Sequence, residues 1–119
     1  MKIINPKVHA VLDYTVVLFL FCSPFLFHFG PAITIFTLGL ALVHLSMTFI
    51  TDFPGGLTGL ISLRIHGMVE LAVSILLMVF ALVGDFEKAV ESYFYVAFSI
   101  AVFSTWVLTD YDAGRRDYI

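Results

Sequence analysis

A long uncharged stretch constrains the fold of this chain more than any other feature. No Asp, Glu, Lys or Arg occurs within residues 14–51, and a second uncharged run covers residues 92–109. Of the 119 residues, 61% are hydrophobic and 13% are charged. Soluble domains carry roughly 25% charged residues. Since about 20 consecutive apolar residues cross a bilayer as a helix, the sequence predicts an integral membrane protein.

The apolar runs divide into four predicted membrane helices. The first begins near residue 7 and ends at about residue 29, and the Gly30-Pro31 turn separates it from the second. The second to fourth helices are predicted at about residues 31–50, 65–83 and 90–108. Between the second and third helices, residues 57–63 are apolar but too few to span. We expect that segment to lie along the membrane interface.

The start of the first helix has a counterpart at the start of the third. The order basic, β-branched, His, small, two apolar residues, acidic occurs at residues 7–13 and returns 57 positions later at residues 64–70. At a spacing of 58, residues 51–53 (TDF) match residues 109–111 (TDY), and Gly56 matches Gly114. The pattern predicts two tandem repeats, about residues 7–56 and 64–114, within one membrane domain that covers residues 1–119.

The predicted fold is therefore an all-α, four-helix transmembrane bundle built from two tandem helical hairpins. Each hairpin crosses the membrane an even number of times, so both copies insert in the same, parallel orientation. Five of the six basic residues then lie on the side where the first and third helices start: Lys2, Lys7, Arg64, Arg115 and Arg116. Lys88 lies on the other side. The positive-inside rule predicts that both termini are cytoplasmic.

Ionisable residues on that predicted cytoplasmic side form the main candidate site. His9 and Asp13 are one helical turn apart, as are His66 and Glu70, so each pair shares a helix face. Histidines and carboxylates at this spacing are typical of metal ligands, and ionisable groups in membrane segments indicate function because they are costly there. The predicted cluster contains His9, Asp13, Asp52, Arg64, His66, Glu70 and Asp110, with His44 as a secondary candidate.

Two interpretations of this cluster stay open. In the structural one, its residues hydrogen-bond across the hairpins, with His9 or Arg64 bound to Asp52 or Asp110 and with His66 bound to an acid of the second or fourth helix. That interpretation leads to a small non-enzymatic accessory or structural protein. In the alternative, the cluster binds a metal ion, protons or a small ligand, as part of a binding or transport module. His44 is either a neutral core histidine or a further ligand.

Several other classes of function are disfavoured by what the sequence lacks. It contains no phosphate-binding loop and no nucleophile elbow, and Cys22 is its single cysteine. A small membrane enzyme with His9 and His66 as acid and base is the least favoured interpretation, because no nucleophile or oxyanion-stabilising group accompanies them, and no catalytic residue is predicted. No cofactor is expected apart from the metal ion of the alternative interpretation. Haem is disfavoured because an acid accompanies each candidate histidine. The expected partners are the lipid bilayer and either further copies of the chain or a larger membrane complex, not nucleic acid, because basic residues are few.

A family resemblance is carried by three motifs. They are His9-x-x-x-Asp13-Tyr14, the residues 23–25 (SPF) near the end of the first apolar run, and His66-x-x-x-Glu70. Over nearly the whole chain this pattern resembles the SPW-repeat family of small bacterial integral membrane proteins. In that family a His-x-x-x-Asp start and a Ser-Pro-Trp end recur in two hairpins; here Phe25 replaces Trp, and residues 80–82 (FAL) replace the second motif. The resemblance implies a four-helix protein of the bacterial inner membrane and no established activity.

Overall fold

The structure, a computed structural model, describes residues 2–113 and contains four long helices. They are α1 (Pro6–Leu26), α2 (Pro31–Ile50), α3 (Leu63–Val83) and α4 (Ala89–Leu108). Each is long and apolar enough to cross a membrane, which indicates a multi-pass membrane protein. Helix α1 packs mainly against α2, and α3 against α4. The predicted all-α four-helix bundle is confirmed.

Helix α1 ends about three residues before the predicted end. His28 has a φ of 53°, in the left-handed region that interrupts a right-handed helix. The backbone N–H of Phe27 still reaches the Ser23 carbonyl and closes the last turn. Pro31 then begins α2. The local backbone at His28, rather than the end of the apolar run, therefore determines where α1 stops.

Helices α1 and α3 start in the same way. The side chain of Asn5 accepts a hydrogen bond from the Val8 backbone N–H, and the side chain of Ser62 accepts one from the Ile65 N–H. Both are N-caps, which satisfy backbone donors that have no partner within the helix. Because Ser62 is the cap, α3 begins at Leu63, two residues before its predicted start.

Two short extended pairings join helix ends to helix starts, and neither was predicted. Strands β1 (Thr51–Asp52) and β2 (Ile61–Ser62) pair in parallel, with Thr51 opposite Ile61. A separate parallel bridge joins Ile4 to Thr109. The first pairing draws the end of α2 to the start of α3, and the second draws the end of α4 to the start of α1. Apolar periodicity does not reveal pieces this short.

At the opposite end of the bundle, the α1–α2 turn contacts the start of α4. The backbone N–H of Gly30 donates to Glu91 Oε1 at 2.6 Å, and Lys88 Nζ donates to the His28 carbonyl. Glu91 is fully buried. A Cβ at residue 30 would lie 2.5 Å from a carboxylate oxygen of the exposed Glu87, so that side chain would have to shift. The turns of both hairpins therefore lie at one end, and residues 51–62 lie at the other.

Candidate metal centre

Four ionisable side chains meet between the starts of α1 and α3. They are His9, Asp13, His66 and Glu70, and each offers one ligand atom within 4.8 Å of the other three. Both histidines are 0% exposed, and the two acids are 2% and 4% exposed. The two His-x-x-x-acid pairs that the sequence places on separate helices thus form one buried cluster, which we call the His/acid cluster.

Each imidazole in the His/acid cluster faces both carboxylates. His9 Nε2 lies 3.4 Å from Asp13 Oδ1 and 3.3 Å from Glu70 Oε1. His66 Nε2 lies 3.2 Å from Asp13 Oδ2 and 3.4 Å from Glu70 Oε1. Both Nε2 atoms and Asp13 Oδ2 are buried without a hydrogen-bond partner among residues 2–113. Buried polar atoms are nearly always satisfied, so this convergence fits either a bound ligand or protonated imidazoles that donate to the carboxylates.

Threonine hydroxyls determine which nitrogen of each histidine carries hydrogen. His9 Nδ1 lies 2.9 Å from Thr109 Oγ1, and His66 Nδ1 lies 2.7 Å from Thr51 Oγ1. Each threonine already donates its only hydroxyl hydrogen to the carbonyl four residues earlier, at 2.6 Å. The hydroxyl must therefore accept from the imidazole, and Nδ1 carries the hydrogen.

This hydrogen-bonding pattern prepares both histidines as ligands. With Nδ1 protonated, a neutral imidazole presents the lone pair of Nε2 to the centre of the cluster. A hydrogen bond from the other ring nitrogen is the usual way in which proteins orient a metal-binding histidine. The two Nε2 atoms that carry those lone pairs are two of the three buried atoms that lack hydrogen-bond partners among the described residues.

The two threonine bonds connect the halves of the chain reciprocally. His9 of α1 is bound by Thr109, which follows α4, and His66 of α3 is bound by Thr51, which follows α2. His9 and His66 are 57 residues apart and Thr51 and Thr109 are 58 apart, the two spacings of the sequence repeat. The caps Asn5 and Ser62 also correspond at a spacing of 57. Each half of the chain thus supplies the residue that positions the other half's histidine.

Aromatic rings cover the cluster where the chain leaves the bundle. The Phe53 ring lies 6.2 Å from the His9 ring and 5.8 Å from the His66 ring, centroid to centroid. The Tyr111 ring lies 5.9 Å from that of His9. Gly67 permits this approach, because a Cβ there would lie 2.6 Å from Tyr111. Both rings therefore pack against the histidines of the His/acid cluster.

Tyr111 also bonds directly to the cluster. Its hydroxyl donates to Glu70 Oε2 at 3.0 Å. Burial, and then the nearby negative charge of Glu70, raise the pKa of Tyr111 far above its usual range. The phenol therefore stays protonated and remains a hydrogen-bond donor to this carboxylate.

Three predicted site residues lie away from the histidines. Arg64 forms an exposed salt bridge with Asp112. Asp52 is exposed, and Asp110 accepts hydrogen bonds from the backbone N–H groups of Asp112 and Ala113. The histidines instead hydrogen-bond to Thr109 and Thr51, the threonines just before Asp110 and Asp52. Successive side chains in extended backbone point to opposite faces, so the buried threonine turns inward and its neighbour points away.

His44, the secondary candidate, lies at the edge of the cluster. Its Nε2 is 3.4 Å from Asp13 Oδ1, and its side chain is 15% exposed. Thr51, Thr109, Phe53 and Tyr111 are the site residues that sequence reasoning missed. The signal for all four was present in the matched TDF and TDY segments, where the acids alone were taken as candidates.

Comparison with protein-family models, with curated proteins and with solved structures finds no match for this chain. The resemblance to the SPW-repeat family stays a prediction from three short motifs. The function proposed below therefore rests on the geometry of the His/acid cluster.

Proposed function

We propose that this protein is an integral membrane protein that binds a divalent transition-metal ion, such as Zn²⁺, through His9, Asp13, His66 and Glu70. One observation carries the proposal: two buried Nε2 atoms and a carboxylate oxygen converge without hydrogen-bond partners among the described residues, while both Nδ1 atoms are bound by threonine. Imidazole nitrogen and carboxylate oxygen are ordinary ligands of Zn²⁺.

The spacing between imidazole and carboxylate donors is compatible with a single ion. Ligands bound to Zn²⁺ at about 2.0–2.1 Å in a tetrahedron lie about 3.3–3.4 Å from one another. The distances from Nε2 to carboxylate oxygen in the His/acid cluster are 3.2–3.4 Å, with Asp13 facing His9 through Oδ1 and His66 through Oδ2. With one ligand atom from each residue, the four atoms lie within 4.8 Å of one another. Without an ion, the lone pairs of the neutral imidazoles face negative carboxylates and repel them. A cation between these atoms would attract both. Two carboxylates also balance its two positive charges, which lowers the cost of holding an ion within a membrane segment.

A second candidate function is structural, and the same atoms give one observation in its favour. Each imidazole faces one carboxylate of its own helix and one of the other half of the chain. With both imidazoles protonated, two positive and two negative charges would hold α1 against α3. The protein would then be a non-enzymatic accessory subunit in which the cluster joins the hairpins.

Metal analysis and thermal unfolding distinguish these two functions. The wild-type protein, purified in detergent without chelator, should contain about one divalent ion per chain. Added Zn²⁺ should raise its melting temperature and a chelator should lower it, since a ligand of the folded form alone stabilises that form. His9→Ala and His66→Ala should abolish both responses. His28→Asn is the matched control, because His28 lies in the turn at the other end and asparagine tolerates its positive φ.

The structural candidate makes the opposite prediction. The metal site would be contradicted if the wild-type protein contains no metal and its melting temperature does not change with Zn²⁺ or chelator. His9→Ala and His66→Ala would still destabilise that protein, because each removes one partner from a buried network.

We also propose that the protein lies in the bacterial inner membrane with both termini in the cytoplasm. Lys2, Lys7 and Arg64 lie at the end of the bundle that holds the His/acid cluster, whereas Lys88 lies at the other end. Arg115 and Arg116, which the sequence places with the first group, are outside the described residues. Because basic residues are more frequent on the cytoplasmic side of membrane proteins, this distribution supports placing the His/acid cluster on that side.

Internal duplication of a hairpin is part of the same proposal. It is supported by the equivalent caps at Asn5 and Ser62 and by the equivalent threonine bonds to His9 and His66. The predicted match of Gly56 with Gly114 falls outside the described residues. Assembly into a homo-oligomer or a larger membrane complex stays a prediction.

A further inference from the structure

The two carboxylates of the His/acid cluster each have a hydrogen-bond donor on one oxygen. In Glu70 the division is complete. Glu70 Oε1 lies 3.3 and 3.4 Å from the Nε2 atoms of the two histidines. Glu70 Oε2 instead accepts the hydroxyl of Tyr111 at 3.0 Å. An ion between the two Nε2 atoms would therefore meet Oε1, and Tyr111 holds the other oxygen away from it.

The second acid is divided in the same sense, with a histidine as the donor. Asp13 Oδ2 lies 3.2 Å from His66 Nε2 and has no hydrogen-bond partner among the described residues. Asp13 Oδ1 lies 3.4 Å from the Nε2 atoms of both His9 and His44. His9 donates through Nδ1 to Thr109 and presents a lone pair at Nε2, so only His44 can donate to Oδ1. Oδ2 is left as the oxygen free to bind an ion.

The donors to the two acids come from different places in the two halves of the chain. At the repeat spacing of 58 residues, His44 corresponds to Val102. At the same spacing Tyr111 corresponds to Phe53, and neither Val102 nor Phe53 has a side-chain hydrogen to donate. The first half uses a residue of α2 and the second half a residue that follows α4. Each acid is nevertheless bound by one donor from its own half.

We propose that His44 and Tyr111 restrict Asp13 and Glu70 to one metal-binding oxygen each, and thereby select a four-coordinate ion of the Zn²⁺ type. This selectivity rests on the metal site proposed above and specifies the class of ion that the site takes. Two imidazole nitrogens and two single oxygens make four ligands, the number in a closed structural Zn²⁺ site, which has no open position for a substrate. Mn²⁺ prefers six ligands, mostly oxygen, and is disfavoured. The ion would hold α1 against α3.

The probe is Co²⁺, which substitutes for Zn²⁺ and absorbs visible light far more strongly when it is tetrahedral than when it is six-coordinate. The wild-type protein in detergent should give the intense spectrum of the tetrahedral ion. It should also bind Co²⁺ at least about tenfold more tightly than Mn²⁺, because the site suits the ion that accepts four ligands.

Variants of the two donors test the selectivity. Tyr111→Phe and His44→Phe each keep a ring but free the second oxygen of one carboxylate, so the absorbance per bound Co²⁺ should fall as its coordination number rises. Co²⁺ affinity should fall about 10–100-fold, the usual result of losing a group that orients a ligand. Mn²⁺ accepts a carboxylate through both oxygens and should lose less affinity, so the preference for Co²⁺ should narrow. His44→Gln retains an N–H donor and should keep the wild-type spectrum.

Tyr95→Phe is the matched control for general damage to the bundle. It removes a buried hydrogen bond to Thr37 within the apolar core, outside the His/acid cluster. This variant should lower the melting temperature in the presence of chelator, yet leave the Co²⁺ spectrum and the preference over Mn²⁺ unchanged. A purely structural role for His44 and Tyr111 would make their variants behave in the same way.

The outcomes separate this selectivity from the metal site itself. If the wild type binds no Co²⁺, the metal site is wrong and the selectivity falls with it. If it binds Co²⁺ with the weak spectrum of a six-coordinate ion, the metal site stands and the selectivity is overturned. The same holds if His44→Phe and Tyr111→Phe both keep the wild-type spectrum and preference. If His44→Phe does not fold, His44→Leu takes its place, and Tyr111→Phe decides independently for Glu70.

Discussion

At the scale of single residues, the two threonines that follow α2 and α4 determine what the histidines can do. Thr51 and Thr109 are fully buried, and each accepts a hydrogen bond from an imidazole while donating to a carbonyl. A hydroxyl with one hydrogen cannot donate twice. The chemistry of the cluster therefore depends on residues that carry no charge and bind no metal themselves.

Removing either hydroxyl should weaken the proposed metal binding. Thr51→Val and Thr109→Val keep the side-chain shape but leave an imidazole N–H buried without a partner, which should cost about 1–3 kcal/mol of stability. Loss of the group that orients a ligand should lower Co²⁺ or Zn²⁺ affinity by about 10–100-fold. Metal titration and thermal unfolding measure the two effects. Thr15→Val is the control, because Thr15 is exposed and bonds only within α1. Wild-type affinity in both variants would contradict the orienting role.

Tyr111 should make stability depend on alkaline pH. Its pKa is raised in the folded protein by burial and by Glu70, whereas in the unfolded chain it is about 10. The folded state therefore holds this proton more tightly, and the resulting stability is complete below pH about 10 and is lost as pH rises further.

Thermal unfolding at pH 8 and at about pH 11 measures this dependence. Tyr111→Phe should be less stable than wild type at pH 8 by about 1 kcal/mol, the value of a hydrogen bond. It should also lose less stability on going to high pH. Tyr93→Phe removes an exposed phenol as a control. Equal alkaline losses in wild type and Tyr111→Phe would contradict the assignment.

At the scale of secondary structure, short pieces at the helix ends position the site. The caps Asn5 and Ser62 fix the first turns of α1 and α3, from which His9 and His66 project. The pairing of Thr51 with Ile61, and the bridge between Ile4 and Thr109, bring the threonines alongside those turns. These caps and strand pairings involve few residues, yet the hydrogen bonds of both imidazoles depend on them.

The two caps should contribute equally to stability. Asn5→Ala and Ser62→Ala each remove one side-chain acceptor from a first-turn N–H and should each cost about 1 kcal/mol. Thermal unfolding in detergent measures the loss. Ser46→Ala should change little, because the exposed Ser46 hydroxyl bonds only to a carbonyl of its own helix. A cost at one cap but not at the other would count against equivalent roles for the two halves.

At the scale of the whole molecule, two helix pairs are joined at both ends by different chemistry. At one end, imidazole, carboxylate and threonine side chains link the halves of the chain. At the other end, Gly30 and His28 are bound by Glu91 and Lys88. Between them lies an apolar core around Leu20, Phe94 and Tyr95. Polar contacts between the hairpins therefore occur at both ends of the bundle, and the buried Thr37–Tyr95 hydrogen bond adds one between them.

The proposed orientation is tested by reporter fusions. A reporter placed at Lys88 should be found outside the cytoplasm, and one placed after residue 119 should be found inside, because most basic residues lie on the cytoplasmic side. The same fusions in a Lys88→Gln variant should report the same orientation. This control shows whether the one basic residue on the outer side affects the topology. Detection of both reporters on one side would show that the topology is wrong.

Much of the fold could be read from hydropathy because each helix is long and nearly free of charge. The α2 boundaries agree with the prediction, since the Gly30-Pro31 turn and the end of the apolar run coincide with them. The end of α1 was less accurate, because it depends on the backbone conformation of His28. The strand pairings were missed because two-residue pieces have no detectable period.

By itself, the sequence determined the helix number, the all-α class and the His-x-x-x-acid pairs, because these depend on local composition and on the helical repeat. Only the tertiary structure decided that the predicted cluster narrows to these two pairs, that they are buried, and that threonines hydrogen-bond to the histidines. Those facts depend on which residues distant in the chain pack together and on which face each residue of a short strand presents. Neither is encoded in the order of hydrophobic and polar residues along one helix.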